Sequence, residues 1–179
     1  MPDQKKEYAV LMVCMGNICR SPTAEGVLRA LHERLVPELG LWVDSAGTHA
    51  YYHLDEYPDP RSRQAAARRG YDIGGHRSRM VTPHDFSEFD YVLAMDADNL
   101  KHLQKMRRAS SSAQLNLLLD YAQPAGSRSV PDPYNGGTAG FEQVLDLVEQ
   151  GAIGLLRSLC IRQGMAFPEI GIQKHNARH

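Results

Sequence analysis

The chain has 179 residues, with 20 Lys and Arg against 21 Asp and Glu, and a length suited to one hydrophobic core. An apolar share of 42% and a charged share of 23% exclude a chain that is disordered throughout, and a formal net charge of -1 excludes a global pull towards nucleic acid or anionic membrane. With no apolar run near the ~18 residues of a membrane span, no long apolar leader after Met1 and only three cysteines, the expectation is a cytoplasmic single-domain protein.

Ala9 to Val13 is a continuous apolar run that ends at Cys14, as expected of a strand buried on both faces of a parallel sheet. Ser21 as N-cap and Pro22 at the first helical position open a helix with Val27, Leu28, Leu31 and Leu35 at helical spacing. Leu41 to Ser45 is a second strand, closed by Ala46-Gly47. The polar stretch Thr48 to Pro60 is long for a connection, and long loops often carry function. Asp59 caps a helix over Arg61 to Arg69, which Gly70 stops. Tyr91 to Met95 is a third strand, Ala97 to Met106 a helix, and Leu115 to Leu119 a fourth strand. Phe141, Val144, Leu145, Val148, Ile153, Leu155, Leu156 and Leu159 carry a last long helix whose apolar pattern takes in Cys160. One domain over 7–164 and a tail over 165–179 are expected.

Strands alternating with helices imply right-handed crossovers and a parallel sheet covered on both faces, an α/β fold. Ligands in such sheets bind where strand carboxyl ends meet helix N-termini. The first such place carries Cys14-Met15-Gly16-Asn17-Ile18-Cys19-Arg20-Ser21. Backbone N–H groups of a short loop entering a helix can surround a tetrahedral oxyanion, and the helix N-terminus adds positive potential. Arg20 can grip two phosphate oxygens as a fork. A sulfur at Cys14 under that field is favoured as thiolate, the nucleophilic form. Cysteine and arginine bracketing one loop therefore suit phosphoryl transfer to sulfur.

Cys14 to Ser21, with the strand before it and Pro22-Thr23-Ala24-Glu25 after it, resembles the signature loop of the low-molecular-weight protein tyrosine phosphatases. The likeness continues at Asp44-Ser45-Ala46-Gly47-Thr48, Asp59-Pro60-Arg61, Gly75-His76-Arg77-Ser78-Arg79, Met95-Asp96, Pro131-Asp132-Pro133-Tyr134 and Phe141 to Asp146. It implies a three-layer αβα domain around a four-stranded parallel sheet in order 2-1-3-4, a flavodoxin-like topology. It also implies hydrolysis of phosphotyrosine through a cysteinyl-phosphate, with Cys14 as nucleophile, Arg20 as phosphate grip and Asp132 as general acid and then base. Met15, Gly16, Asn17, Ile18 and Cys19 would line the phosphate site, and Tyr51 and Tyr134 would wall an aryl ring. Ser21, Ser45 and His76, tied to Asn17, would hold the loop in shape. No cofactor and no metal are expected. A reversible Cys14–Cys19 disulfide under oxidation is a further implication.

The expected partner is a phosphotyrosine protein, with a tyrosine kinase as one candidate, and the expected assembly a monomer or weak dimer without nucleic acid or membrane insertion. Two departures from the family pattern fall on the pocket rim: Asn135 stands where many members have a second tyrosine, and the loop Tyr51-Tyr52-His53-Leu54-Asp55 replaces a Trp and Gly common in bacterial relatives. The alternatives are a thioredoxin-coupled arsenate reductase, a non-catalytic phosphate-binding module, and a redox sensor. The reductase needs further cysteines, but none lies between Arg20 and Leu159. Asp132 has no purpose in the other two.

Overall fold

A computed structural model describes residues 7–122 and 128–170 of the chain. Four strands, β1 (Tyr8–Cys14), β2 (Leu41–Gly47), β3 (Tyr91–Ala94) and β4 (Gln114–Leu117), form one parallel sheet in the order β2-β1-β3-β4. Side chains of β1 alternate between two cores. Val10, Met12 and Cys14 face a layer of α1 (Arg20–Leu35), α2 (Pro60–Arg68) and α5 (Thr138–Arg162), while Leu11 and Val13 face α3 (Asp85–Glu88) and α4 (Ala97–Met106). This is the three-layer, flavodoxin-like αβα arrangement that the resemblance implied.

Helix α5 supplies the largest apolar face, with Val148, Leu155, Leu156 and Leu159 fully buried. Truncating any of these leucines to alanine typically costs about 2–5 kcal/mol. The same helix passes over a 3-10 turn at Leu118–Tyr121 so closely that a Cβ on Gly154 would stand 1.7 Å from the Tyr121 carbonyl oxygen. That turn is where the fourth strand stops short of the expected Leu119. The Asp120 carboxylate accepts from Leu117 N–H at 3.1 Å and bends the chain under the helix.

The short α3, held by buried Phe86 and Phe89, had no periodic signal to reveal it. Of the expected tail, Met165 and Phe167 pack on the core, and the Arg157 guanidinium stands 5.2 Å from the Phe167 ring centroid. Residues 171–179 lie outside the described part. No described helix is long and apolar enough to cross a membrane.

The order of strands sets the site. The chain leaves β1 for β2 on one side and later returns past β1 to β3 on the other. The crevice outside the strand ends therefore opens at Cys14, the topological switch point.

Candidate active site

Strand β1 delivers Cys14 to the carboxyl end of the sheet, and Met15 to Cys19 lead straight into α1. Three backbone bonds hold the loop from outside: Thr48 N–H to Cys14 O at 2.9 Å, His49 N–H to Met15 O at 2.9 Å and Asp59 N–H to Ile18 O at 2.8 Å. With these carbonyls turned outward, Asn17 N–H points inward and donates to Cys14 Sγ at 3.3 Å. Ser21 Oγ lies 3.0 Å from the same sulfur. The helix thus begins at Arg20 with Cys19 as an N-cap whose side chain makes no capping bond, and Ser21, expected as the cap, is turned to the sulfur instead.

Asn17 adopts φ 56°, a left-handed conformation that asparagine tolerates better than most residues. Glycine would fit that backbone too, but could not satisfy the surroundings. Asn17 Nδ2 donates to Ser21 Oγ at 2.8 Å and Ser45 Oγ at 3.0 Å, and its Oδ1 accepts from Arg79 N–H at 2.9 Å. His76 Nε2 is 3.0 Å from that same Oδ1, which can only accept, so this nitrogen carries a proton. The structure thus brings together the four residues expected to brace the loop.

A fifth member, Glu25, had been assigned no role. Its Oε1 accepts from Ser45 Oγ at 2.8 Å and lies 3.3 Å from His76 Nδ1. Burial pushes the Glu25 carboxyl up, but hydrogen bonds from His76, Ser45 and Arg29 and the His76 charge outweigh it and hold the group below the ordinary carboxylate range. The available signal was spacing, because Ser21 and Glu25 stand four apart on one helix face.

Possible ligand atoms of Glu25, Asp44 and His76 come within 4.8 Å of one another. Their spacing in the sequence gives no hint of this. Arg79 donates to Asp44 Oδ2 at 3.0 and 3.1 Å and Ser45 N–H to its Oδ1 at 2.8 Å, so protein donors already occupy this carboxylate.

Arg20 is buried at 3% exposure, where a guanidinium requires partners. Its Nη1 donates to Asp96 Oδ2 at 2.5 Å and to Val130 O at 3.1 Å, while Nη2 lies 3.7 Å from Asp132 Oδ2. Among the described residues Nε and Nη2 make no hydrogen bond, so that edge can meet an anion. Burial pulls the Arg20 pKa down, but the Cys14 sulfur and the Asp96 and Asp132 carboxylates raise it further, so the charge is secure. Asp96 also caps α4, accepting Asn99 N–H at 2.8 Å. It was quoted in the resemblance without a role, and the signal for one was the need of a buried arginine for a counter-ion.

Val130 N–H donates to Met95 O at 2.8 Å and so anchors the Asp132 loop beside β3. Asp132 Oδ1 accepts Tyr134 N–H at 3.0 Å.

On the rim, Met15, Tyr51 and Tyr134 are exposed at 46%, 52% and 43%. His53, not singled out from the sequence, reaches over the loop. A Cβ on Gly16 would come within 3.4 Å of its Cδ2, and its ring centroid lies 6.1 Å from that of Tyr134. Asn17, Ile18 and Cys19 are buried, so what they offer an anion is backbone N–H. Burial pushes the Cys19 thiol up to about 12 against a hydrogen bond with Ser62. Cys160 is fully buried in the core, as expected.

A doubly wound α/β domain whose first strand ends in a Cys-x5-Arg anion loop, with an aspartate loop beside it, defines the class of phosphate-loop phosphatases. The profile of the low molecular weight phosphotyrosine protein phosphatases matches residues 9–163. The chain belongs to this family, whose members are hydrolases.

A Synechocystis protein named as a candidate low molecular weight protein-tyrosine-phosphatase is 43% identical over 151 residues, covering 84% of this chain and 95% of its own. The low molecular weight protein-tyrosine-phosphatase YfkJ of Bacillus subtilis superposes with a TM-score of 0.81 at 34% identity, covering 89% of this chain and 99% of its own. A Drosophila arginine phosphatase superposes with a TM-score of 0.77 at 32% identity, covering 83% and 96%.

Proposed function

We propose that the protein dephosphorylates tyrosine in two steps at the loop Cys14 to Arg20. Cys14 Sγ attacks phosphorus while loop N–H groups and Arg20 hold the non-bridging oxygens. The bond from phosphorus to the phenolic oxygen breaks, and Asp132 gives that oxygen its proton. Water then attacks the cysteinyl-phosphate, Asp132 takes the proton, and the sulfur leaves as thiolate with inorganic phosphate released. Tyr51 and Tyr134 flank the aryl ring, and a phosphoserine is too short to bring phosphorus to the sulfur while touching them.

The observation that carries this reading is the sulfur itself. Cys14 Sγ receives Asn17 N–H at 3.3 Å and stands 3.0 Å from Ser21 Oγ, at the floor of a loop with a buried arginine at its end. The partner is a phosphotyrosine protein, with a tyrosine kinase as one candidate, met in the cytoplasm by a monomer or weak dimer. No metal or cofactor enters the steps, since loop amides and Arg20 supply the positive charge.

The test compares wild type with Cys14→Ser on p-nitrophenyl phosphate and on phosphotyrosine, phosphoserine and phosphoarginine peptides. Phosphoarginine is included because one structural relative is an arginine phosphatase. The expected result is turnover of the aryl substrates alone by wild type. Cys14→Ser should turn over none while still binding vanadate. Turnover by Cys14→Ser, or preference for phosphoarginine, overturns the proposal.

A further inference from the structure

The motif Asp59-Pro60-Arg61 has no part in the steps above, yet it lies between the two loops that carry them. Asp59 N–H donates to Ile18 O at 2.8 Å, tying this residue to the phosphate loop. The Asp59 carboxylate caps α2 and also holds Arg61: Oδ1 accepts Arg61 N–H at 2.8 Å and Nε at 3.0 Å, and Oδ2 accepts Nη2 at 2.8 Å.

So fixed, the guanidinium reaches across to the other loop. It lies 5.6 Å from the centroid of the Tyr134 ring and 4.7 Å from that of Phe141, and Nη1 donates to Gly136 O at 3.5 Å. Tyr134 N–H in turn orients the Asp132 carboxylate. A continuous chain of contacts thus runs from the phosphate loop through Asp59, Arg61 and Tyr134 to Asp132.

We infer that Arg61 is a positioning residue for proton transfer, fixing the height of Asp132 over Cys14 through Tyr134. The inference rests on the proposed reaction. A planar fork suits this place because one carboxylate must hold it by two nitrogens while its face meets rings. A lysine keeps the charge without the fork. Arg61 touches neither phosphate oxygen nor sulfur in this scheme, so its removal should spare anion binding and spoil protonation.

Leaving groups separate the two effects. Phenyl phosphate departs as a strongly basic phenolate that needs a proton, whereas the far less basic p-nitrophenolate departs with little help. With Arg61→Ala, kcat/KM for phenyl phosphate is expected to fall about tenfold, and for p-nitrophenyl phosphate about twofold or less. Inhibition by vanadate should be unchanged. Asp132→Asn should show the same preference more strongly, and Arg61→Ala added to Asp132→Asn should cost little more on phenyl phosphate, because both act on one proton. Arg61→Lys should resemble Arg61→Ala.

Equal losses on both substrates, full additivity with Asp132→Asn, or rescue by lysine overturns the positioning role. If Asp132→Asn itself shows no leaving-group preference, the acid assigned in the proposed reaction fails, and this inference fails with it. The outcomes are distinguishable because Asp132→Asn is measured alone. Arg61 is exposed at the start of α2, and vanadate inhibition reports that the loop has kept its shape in the variant.

Discussion

Ser21 Oγ stands 3.0 Å from Cys14 Sγ and accepts the Asn17 amide at 2.8 Å, so its own proton is left to point at the sulfur. Among the described residues the other acceptor near it, Ala46 O, is at 3.4 Å. A hydroxyl held this way stabilises sulfur most when it is thiolate, which in the proposed reaction is before attack and again as it leaves phosphorus.

Ser21→Ala is therefore expected to slow breakdown of the cysteinyl-phosphate. A hydrogen bond to a charged group is worth about 1.5–3 kcal/mol, or roughly 10- to 100-fold in rate. Rapid-mixing assays with p-nitrophenyl phosphate should then show a burst of p-nitrophenol followed by slow turnover. A linear time course with unchanged kcat contradicts the role.

Glu25 makes stability depend on acid. Its folded-state carboxyl is held below the ordinary value, so its contribution is complete above the unfolded-state pKa. It is lost as pH falls through the folded-state pKa. Denaturant unfolding at stepped pH should show stability declining below about pH 4.5. Glu25→Gln should lose that component of the slope and cost about 1–3 kcal/mol at neutral pH, with His76 facing an amide.

How much of this was legible depended on whether a feature is local. The apolar run before Cys14, the Pro60 helix start and the α5 periodicity are local, and strands and helices follow them. The bracing by Asn17, Ser21, Ser45 and His76 came from resemblance, since no spacing places His76 beside Asn17. Glu25, Asp96 and His53 acquire meaning only when distant segments meet. Glu25 reads as a surface glutamate until β2 brings Ser45 to it, and Asp96 as a plain N-cap until Arg20 is buried against it. Ser21 fits both a helix cap and a sulfur partner, and the two-residue difference in the helix start decides between them.

Cys19 answers to alkali rather than acid. Burial lifts its thiol from 9.0 to about 12, so its contribution to stability is complete below the unfolded-state value and is lost as pH rises towards the folded one. Native protein at pH 8 should therefore leave Cys19 unalkylated by iodoacetamide, as read by peptide mapping. Under hydrogen peroxide, a sulfenic acid formed at Cys14 can condense with the neighbouring Cys19 thiol and release water. Cys19→Ser should then recover less activity on reduction with dithiothreitol than wild type does. Equal recovery excludes the pairing.

Gly47 sits where three parts of the site converge. Its N–H donates to Arg79 O at 2.9 Å and its carbonyl accepts Val81 N–H at 3.0 Å, pinning the segment that also presents Arg79 N–H to Asn17. An added Cβ would stand 2.6 Å from Met15 O, 2.9 Å from Ala50 Cβ and 3.1 Å from Asn17 Cβ. None of these is the end of a flexible side chain, so the strain cannot be shed by a rotamer change. Gly47→Ala should cost about 1–3 kcal/mol in denaturant unfolding and, by moving Met15 and Asn17, weaken competition by inorganic phosphate. Gly75→Ala is the matched control, because a Cβ there meets nothing within 4 Å. If both variants bind phosphate equally well, the close approach at Gly47 is not what shapes the loop.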